Sequence, residues 1–205
     1  MRLTTLLFVA LLMAACNTRP SANDNTASVD NSHDDPVEYK QYTYDEVADK
    51  AKLMERITGD FNGDGATEDA SLYYYRELFD EEAEEWDYYR YFHYYYVVFS
   101  DAAIPTIDVE WSAVGLTNEG DLDGDGADDI GYFEWGGYSS CGTYIVFSLC
   151  DGEWRVRVAL SHNAGWNEEP YDALVRKDPS AEGYVIVREI DVEDGGIWDK
   201  RVKLL

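Results

Sequence analysis

Asp60, Asn62, Asp64 and Glu68 set four side-chain oxygen donors in one short segment, Asp60-Phe-Asn-Gly-Asp-Gly-Ala-Thr-Glu68. Asp121, Asp123, Asp125 and Asp129 repeat the spacing in Asp121-Leu-Asp-Gly-Asp-Gly-Ala-Asp-Asp129, and both segments follow a glycine, Gly59 and Gly120. Donors at alternate positions, then a glycine, then a carboxylate four residues after the third donor suit a hard divalent cation. Ca²⁺ takes six to eight oxygens, so a short chain must turn sharply to converge on it. Gly65 and Gly126 permit that turn, because glycine reaches positive φ without a Cβ clash. The backbone carbonyls of Ala66 and Ala127 would complete the two ligand sets, and Asp69 is the alternative to Glu68 if the first loop is shifted by one residue. Solvated Asp-Gly turns that bind nothing are the competing reading, but turn formation alone does not require this carboxylate spacing.

Neither loop is an EF-hand. That motif needs a bidentate Glu at its twelfth position, where this chain has Ser71 and Tyr132. Helices flank an EF-hand, whereas Leu72–Tyr75 and Ile130–Phe133 carry the aromatic and aliphatic residues of strands. Gly-Asp-Leu-Asp-Gly-Asp-Gly-Ala-Asp-Asp-Ile at 120–130 resembles the calcium loop of FG-GAP and VCBS repeats. The resemblance covers residues 59–69 and 120–131, and the offset of 61 residues between Asp60 and Asp121 is similar to one propeller blade. It implies Ca²⁺ as the cofactor and strands joined by the loops. A closed propeller needs about four four-stranded blades, and this chain has room for two or three units. More loosely, the chain is similar to small bacterial lipoproteins with paired Gly-Asp-x-Asn-Gly-Asp-Gly loops.

The N-terminus sets the expected location. Arg2 followed by the apolar run Leu6–Met13 reads as a signal sequence over 1–15, too short to span a bilayer. Met13-Ala-Ala-Cys16 resembles a lipobox, which would make Cys16 the lipidated residue; ordinary cleavage after Ala15 is the alternative. Asn17 is not the aspartate that retains lipoproteins at the inner membrane, so the resemblance implies the outer membrane, facing the periplasm. Residues 16–36 have no aromatic residue and one branched apolar residue, Val29, the composition of a disordered tether. Residues 37–205 then form a single domain, long enough for one core.

The chain has 42 Asp and Glu against 16 Lys and Arg. That field opposes nucleic acid as a partner and anionic lipid surfaces as well, while it favours divalent cations and keeps a tethered protein soluble. The expected partners are the bilayer, through the lipid anchor, and an envelope protein or glycan. Apart from Cys16, the cysteines are Cys141 and Cys150, and export invites a disulfide between them. A continuous strand over 143–149 would hold their ends about 30 Å apart, against the ~7 Å between Cα atoms that a disulfide allows. The thiols are therefore expected to stay apart.

The elements that must position these residues follow from pattern. Asp45–Glu55 has good helix formers and neither glycine nor proline, which predicts a short N-terminal helix. Strands are expected at 72–79, 88–99, 104–111, 130–135, 143–149, 154–160, 184–190 and 200–205, with Asp151-Gly152 turning a hairpin. The expected fold is all-β, antiparallel sheets arranged as a β-sandwich or a partial propeller-like stack. On 88–99 the aromatics occupy both parities, which requires a strand covered on both faces or an exposed aromatic surface.

Catalytic constellations are thin. Gly137-Tyr-Ser-Ser-Cys-Gly142 lacks the Gly-x-Ser-x-Gly spacing of a nucleophile turn, and no local pattern ties Cys141 to His93 or His162. Cys-x-x-Cys, His-Glu-x-x-His and phosphate-binding glycine loops are absent. No enzyme activity is expected, with hydrolysis as the remote alternative. Trp135, Tyr138 and Trp166 lie in glycine-flanked segments and are the candidate ligand-binding aromatics, for a glycan or a protein partner. The function expected is a calcium-stabilised envelope lipoprotein that binds or scaffolds other components.

Overall fold

The computed structural model describes residues 40–78, 91–109, 112–135, 141–163, 174–190 and 197–204. Cys16 and the segments expected to be a signal sequence and a tether lie outside them. One helical turn, α1 (Tyr44–Val47), precedes eleven strands. The first four are β1 (Lys52–Gly59), β2 (Glu68–Leu78), β3 (Tyr91–Phe99) and β4 (Ile107–Val109), and they pair in that order as one antiparallel sheet. β5 (Ser112–Gly120), β6 (Asp129–Trp135), β7 (Cys141–Cys150) and β8 (Glu153–Asn163) make a second sheet of the same order. β9 (Val175–Lys177), β10 (Tyr184–Ile190) and β11 (Ile197–Lys203) make a third, with β10 central. The fold is all-β, and the described strands close no barrel.

Alternation on each strand explains the stacking. On β2 and β3, Ala70, Leu72, Val97 and Phe99 point into a core shared with Ala113, Leu116, Ile130 and Tyr132 of the second sheet. Phe133, Tyr144, Val146, Val158 and Leu160, on the opposite face of that second sheet, meet Val175, Val185 and Val187 of the third. The second sheet is thus covered on both sides. β3 also uses both parities. Tyr94 and Tyr96 pack with Val47, Tyr42, Tyr44 and Tyr75 on the outer face of the first sheet. Their hydroxyls donate to the carbonyls of Lys40 (2.6 Å) and Tyr42 (2.9 Å). The aromatic excess on β3 is therefore a two-sided core.

Three expectations need correction. The helix over 45–55 is reduced to α1. Its first turn is held by the Glu46 carboxylate, which accepts from Thr43 N (2.9 Å) and Thr43 Oγ1 (3.0 Å). Lys52–Glu55 instead join β1, which pairs with β2 from Lys52↔Tyr74 to Gly59↔Glu68. Helix propensities differ by only a few tenths of a kcal/mol per residue, less than a continuous ladder and the burial behind it contribute. β5 was not expected, because its Gly, Ser and Asn content reads as loop. It is held from outside: the Glu55 carboxylate accepts from Gly115 N (3.0 Å) and Leu116 N (2.7 Å) where Gly115 kinks the strand at φ 68°. The expected strand over 104–111 shrinks to β4, because Ile104 closes a turn onto the Asp101 carbonyl (3.1 Å); Glu110 and Trp111 lie outside the described residues.

The hairpin joining β7 and β8 turns at Asp151 and Gly152, at φ 53° and 78°. Cys141 and Cys150 occupy opposite ends of the unbroken β7, and Cys150 is a free thiol.

Candidate metal centre

The two acidic loops take equivalent places. Residues 60–67 join β1 to β2 and residues 121–128 join β5 to β6, so each links the first two strands of a four-stranded meander. The second strand of each pair carries the last carboxylate, Glu68 or Asp129, at its first position.

Within the first loop, backbone amides point at carboxylates. Asp60 accepts from Asp64 N (3.0 Å) and Gly65 N (2.9 Å), and Asp64 accepts from Ala66 N (2.7 Å). Asn62 Oδ1 accepts from Asp64 N (2.9 Å). Glu68 is buried and accepts from Phe61 N (3.0 Å), which seats Phe61 in the core and turns the carboxylate towards the loop. The second loop repeats the scheme: Asp121 accepts from Gly124 N (2.5 Å), Asp123 from Asp125 N (3.2 Å) and Asp125 from Ala127 N (2.9 Å). Asp129 accepts from Leu122 N (2.9 Å), as Glu68 does from Phe61. Gly65 and Gly126 have φ of 84° and 96°, as the turn requires.

Carboxylate oxygens of Asp60, Asp64 and Glu68 converge within 4.8 Å of one another, and so do those of Asp121, Asp123 and Asp125. Glu68 rather than Asp69 joins the first trio, since Asp69 pairs with Arg56 at 3.1 Å. Asp129 is not one of the second trio; it is buried behind it. Burial raises the Glu68 carboxyl above its ordinary range, helped by the charges of Asp64, Asp60 and Asp101 and opposed by Phe61 N. Burial likewise pushes Asp129 up to about 7, with the charges of Asp123 and Asp125 adding and Leu122 N subtracting. Like charges at this separation oppose ionisation of their neighbours until a cation offsets them.

The two loops differ in their surroundings. Arg157 Nη2 donates to Asp123 Oδ2 at 3.0 Å, and Lys177 Nζ lies 2.9 Å from the Asp121 carbonyl and 3.7 Å from its carboxylate. Among the described residues no cation pairs with Asp60, Asp64 or Glu68. A further acid, Asp101, sits on Asn62 Nδ2 at 3.2 Å.

Sequence reasoning missed the residues that join the loops. Asp128 accepts from Asp60 N (3.0 Å) and from Asn118 Nδ2 (2.9 Å), and its own N–H donates to the Asp60 carbonyl (2.7 Å). Asn118 also donates to the Thr58 carbonyl at 2.9 Å. Asp128 is one of two acids of the second loop whose copies are uncharged, Thr67 for Asp128 and Asn62 for Asp123, a clue that did not single it out. Asn118, Asp101, Arg157 and Lys177 had none.

The donor set fits a hard cation in composition: carboxylates and an amide, with no sulfur or imidazole. Of the aromatic candidates, Trp135 ends β6 with 42% of its surface exposed, at the end of the strand away from the acidic loop. Tyr138 and Trp166 lie outside the described residues, and so does the side chain of Cys141. No family model, curated protein or solved structure matches this chain.

Proposed function

We propose that this chain is a calcium-stabilised bacterial envelope lipoprotein that acts as a binding or scaffolding module. One observation carries the calcium reading: two equivalent loops each bring three carboxylates within 4.8 Å at the same point of two repeated meanders. Asp60, Asn62, Asp64 and Glu68 would hold one ion, and Asp121, Asp123, Asp125 and Asp129 the other, with the carbonyls of Ala66 and Ala127. The ion supplies positive charge where the fold concentrates negative charge, and the chain's own amides and glycines hold the loop open to receive it. The role of the metal is structural. The FG-GAP-like and VCBS-like reading rests on the loops and on their placement between the first two strands of each four-stranded sheet. The lipid anchor at Cys16, the tether and an outer-membrane location facing the periplasm rest on the N-terminal sequence.

Isothermal titration of the metal-stripped chain with Ca²⁺ tests the metal reading. Two ions per chain are expected, reduced to one in Asp64→Ala or Asp125→Ala; no uptake at millimolar Ca²⁺ would contradict it. Incorporation of labelled palmitate, lost in Cys16→Ser, tests the anchor.

The exposure of Trp135 favours a second reading of the scaffold as a glycan-binding accessory protein, because an indole left in solvent on a sheet can stack on a sugar ring. Trp135→Ala is expected to weaken retention on immobilised glycan without lowering the Tm. Unchanged retention would remove that reading.

A further inference from the structure

The third sheet reverses the charge of the chain. Arg176, Lys177, Arg188, Lys200, Arg201 and Lys203 lie on its strands, six of the 16 Lys and Arg in a protein of formal net charge −26. Strand register sorts them by face. Val185 and Val187 are fully buried against the second sheet, so Tyr184, Ile186 and Arg188 of β10 point outward. Their register partners are Lys203, Arg201 and Asp199 of β11, and Arg176 of β9 stands opposite Ile186, so all share that outer face. Ile197 extends the row, with 55% of its surface exposed.

Among the described residues the outer face therefore carries three arginines, one lysine and three apolar or aromatic side chains around Asp199, with Asp178 of the β9–β10 turn beside Arg201. Asp199 is shared between Arg176 (2.6 Å) and Arg188 (3.4 Å). Arg201 rests against Asp178 (2.5 Å) in the β9–β10 turn and lies over the Tyr184 ring at 5.9 Å. Asp178 is buried in its turn, but the two pairs at Asp199 are exposed or half-exposed, and such pairs contribute little to stability, so exchanging Asp199 for another anion costs little. Guanidinium groups match phosphate oxygens bidentately, and apolar side chains between cations suit the boundary between headgroup and acyl chain. The acidic remainder of the molecule does not cancel this face, because fields beyond about 10 Å are screened at physiological salt.

We infer that the outer face of the third sheet is a peripheral contact surface for phosphate-bearing lipid headgroups of an anionic bilayer. A tethered domain would rest on its membrane through this face, with the acidic remainder directed away. That setting rests on the lipoprotein reading above; the affinity of the face for lipid does not. Charge complementarity and the interleaved Ile186, Ile197 and Tyr184 favour a bilayer over a purely polyanionic partner.

The test is vesicle co-sedimentation of the full chain carrying Cys16→Ser, which removes acylation. Vesicles of phosphatidylcholine with phosphatidylglycerol are compared with phosphatidylcholine alone, so that any contribution of the apolar N-terminus appears in both. Binding to the anionic vesicles is expected to exceed that to the neutral ones by about tenfold at physiological salt, and to fade as salt rises further. Arg176→Glu with Lys203→Glu should abolish the preference. Lys50→Glu with Lys52→Glu, the same charge change on exposed residues elsewhere, should keep it. No anionic preference, or equal loss in both variants, would overturn the assignment. Binding to RNA as tight as to the anionic vesicles would also overturn it, by making the face a general polyanion site. Absence of palmitate incorporation at Cys16 would refute the lipoprotein reading and leave this result standing.

Discussion

Glu68 and Asp129 are the two candidate side-chain ligands that the fold buries, and each faces inward at the start of a strand because a main-chain amide seven residues earlier, in the same loop, holds it there. Asp129 carries a titration consequence. With its folded value pushed up to about 7 and an ordinary value near 3.8, the native metal-free protein binds a proton that the unfolded chain releases in that window. Its contribution to stability is therefore fully present below pH about 4 and is lost as the pH rises through about 7. Asp129→Asn keeps an acceptor for Leu122 N and removes the charge. In EGTA the variant should be more stable than the parent at pH 8 and equal to it near pH 4, measured by urea unfolding at both values. Equal destabilisation at both would contradict the burial argument. At this scale the sequence was most legible: the spacing of Asp60, Asp64 and Asp125 placed each among its predicted partners. Asp128 was hidden because its work is a contact to a residue 68 positions away, and spacing within one loop carries no information about contacts between loops.

Each loop depends on the strands that carry it, and here the glycines separate two kinds of cost. A Cβ on Gly59 would lie 2.4 Å from Asn118 Nδ2, 2.6 Å from Asp128 Oδ2 and 2.9 Å from Phe61 Cζ, in the junction between the loops. Gly65, at φ +84°, has open space around the same position. Gly59→Ala is thus expected to cost about 1–3 kcal/mol through overpacking, and Gly65→Ala about 1–2 kcal/mol through backbone conformation alone. Urea midpoints measure both. Addition of Asn118→Ala should recover part of the first loss and none of the second, and the opposite pattern would contradict the contact at Gly59. Strands with alternating aromatic and branched residues, such as β2, β3, β6 and β7, could be read directly. β1 could not, because Lys52–Glu55 has the propensity of a helix and becomes a strand through its ladder with β2. β5 and β9 were missed for related reasons: one is kinked at Gly115 and pinned by Glu55, the other has three residues.

Across the whole molecule, the repeat seen in residues 59–69 and 120–131 extends to the sheets, since strands 1–4 and 5–8 share order, direction and loop position. The second sheet lies between two hydrophobic layers, and the first is coupled to it by Glu55, Asn118 and Asp128. Two clusters of like charge therefore sit where the sheets meet, and the stability of that junction should follow their occupancy. A ligand that binds the native state alone adds about 2.7 kcal/mol per site at a hundredfold excess over its Kd. The first loop, which has Asp101 beside it and no cationic partner among the described residues, should depend on the ion more than the second, which Arg157 and Lys177 already offset. The measurement that tests the central claim is thermal unfolding of the full chain in excess EGTA, in millimolar Ca²⁺ and in millimolar Mg²⁺, with Asp64→Ala and Asp125→Ala alongside. Calcium held in both loops should raise the Tm by several degrees in Ca²⁺ and much less in Mg²⁺, with the rise diminished in both variants and more so in Asp64→Ala. An unchanged Tm, or an equal rise with Mg²⁺ in parent and variants, would contradict it and reduce both loops to acidic turns.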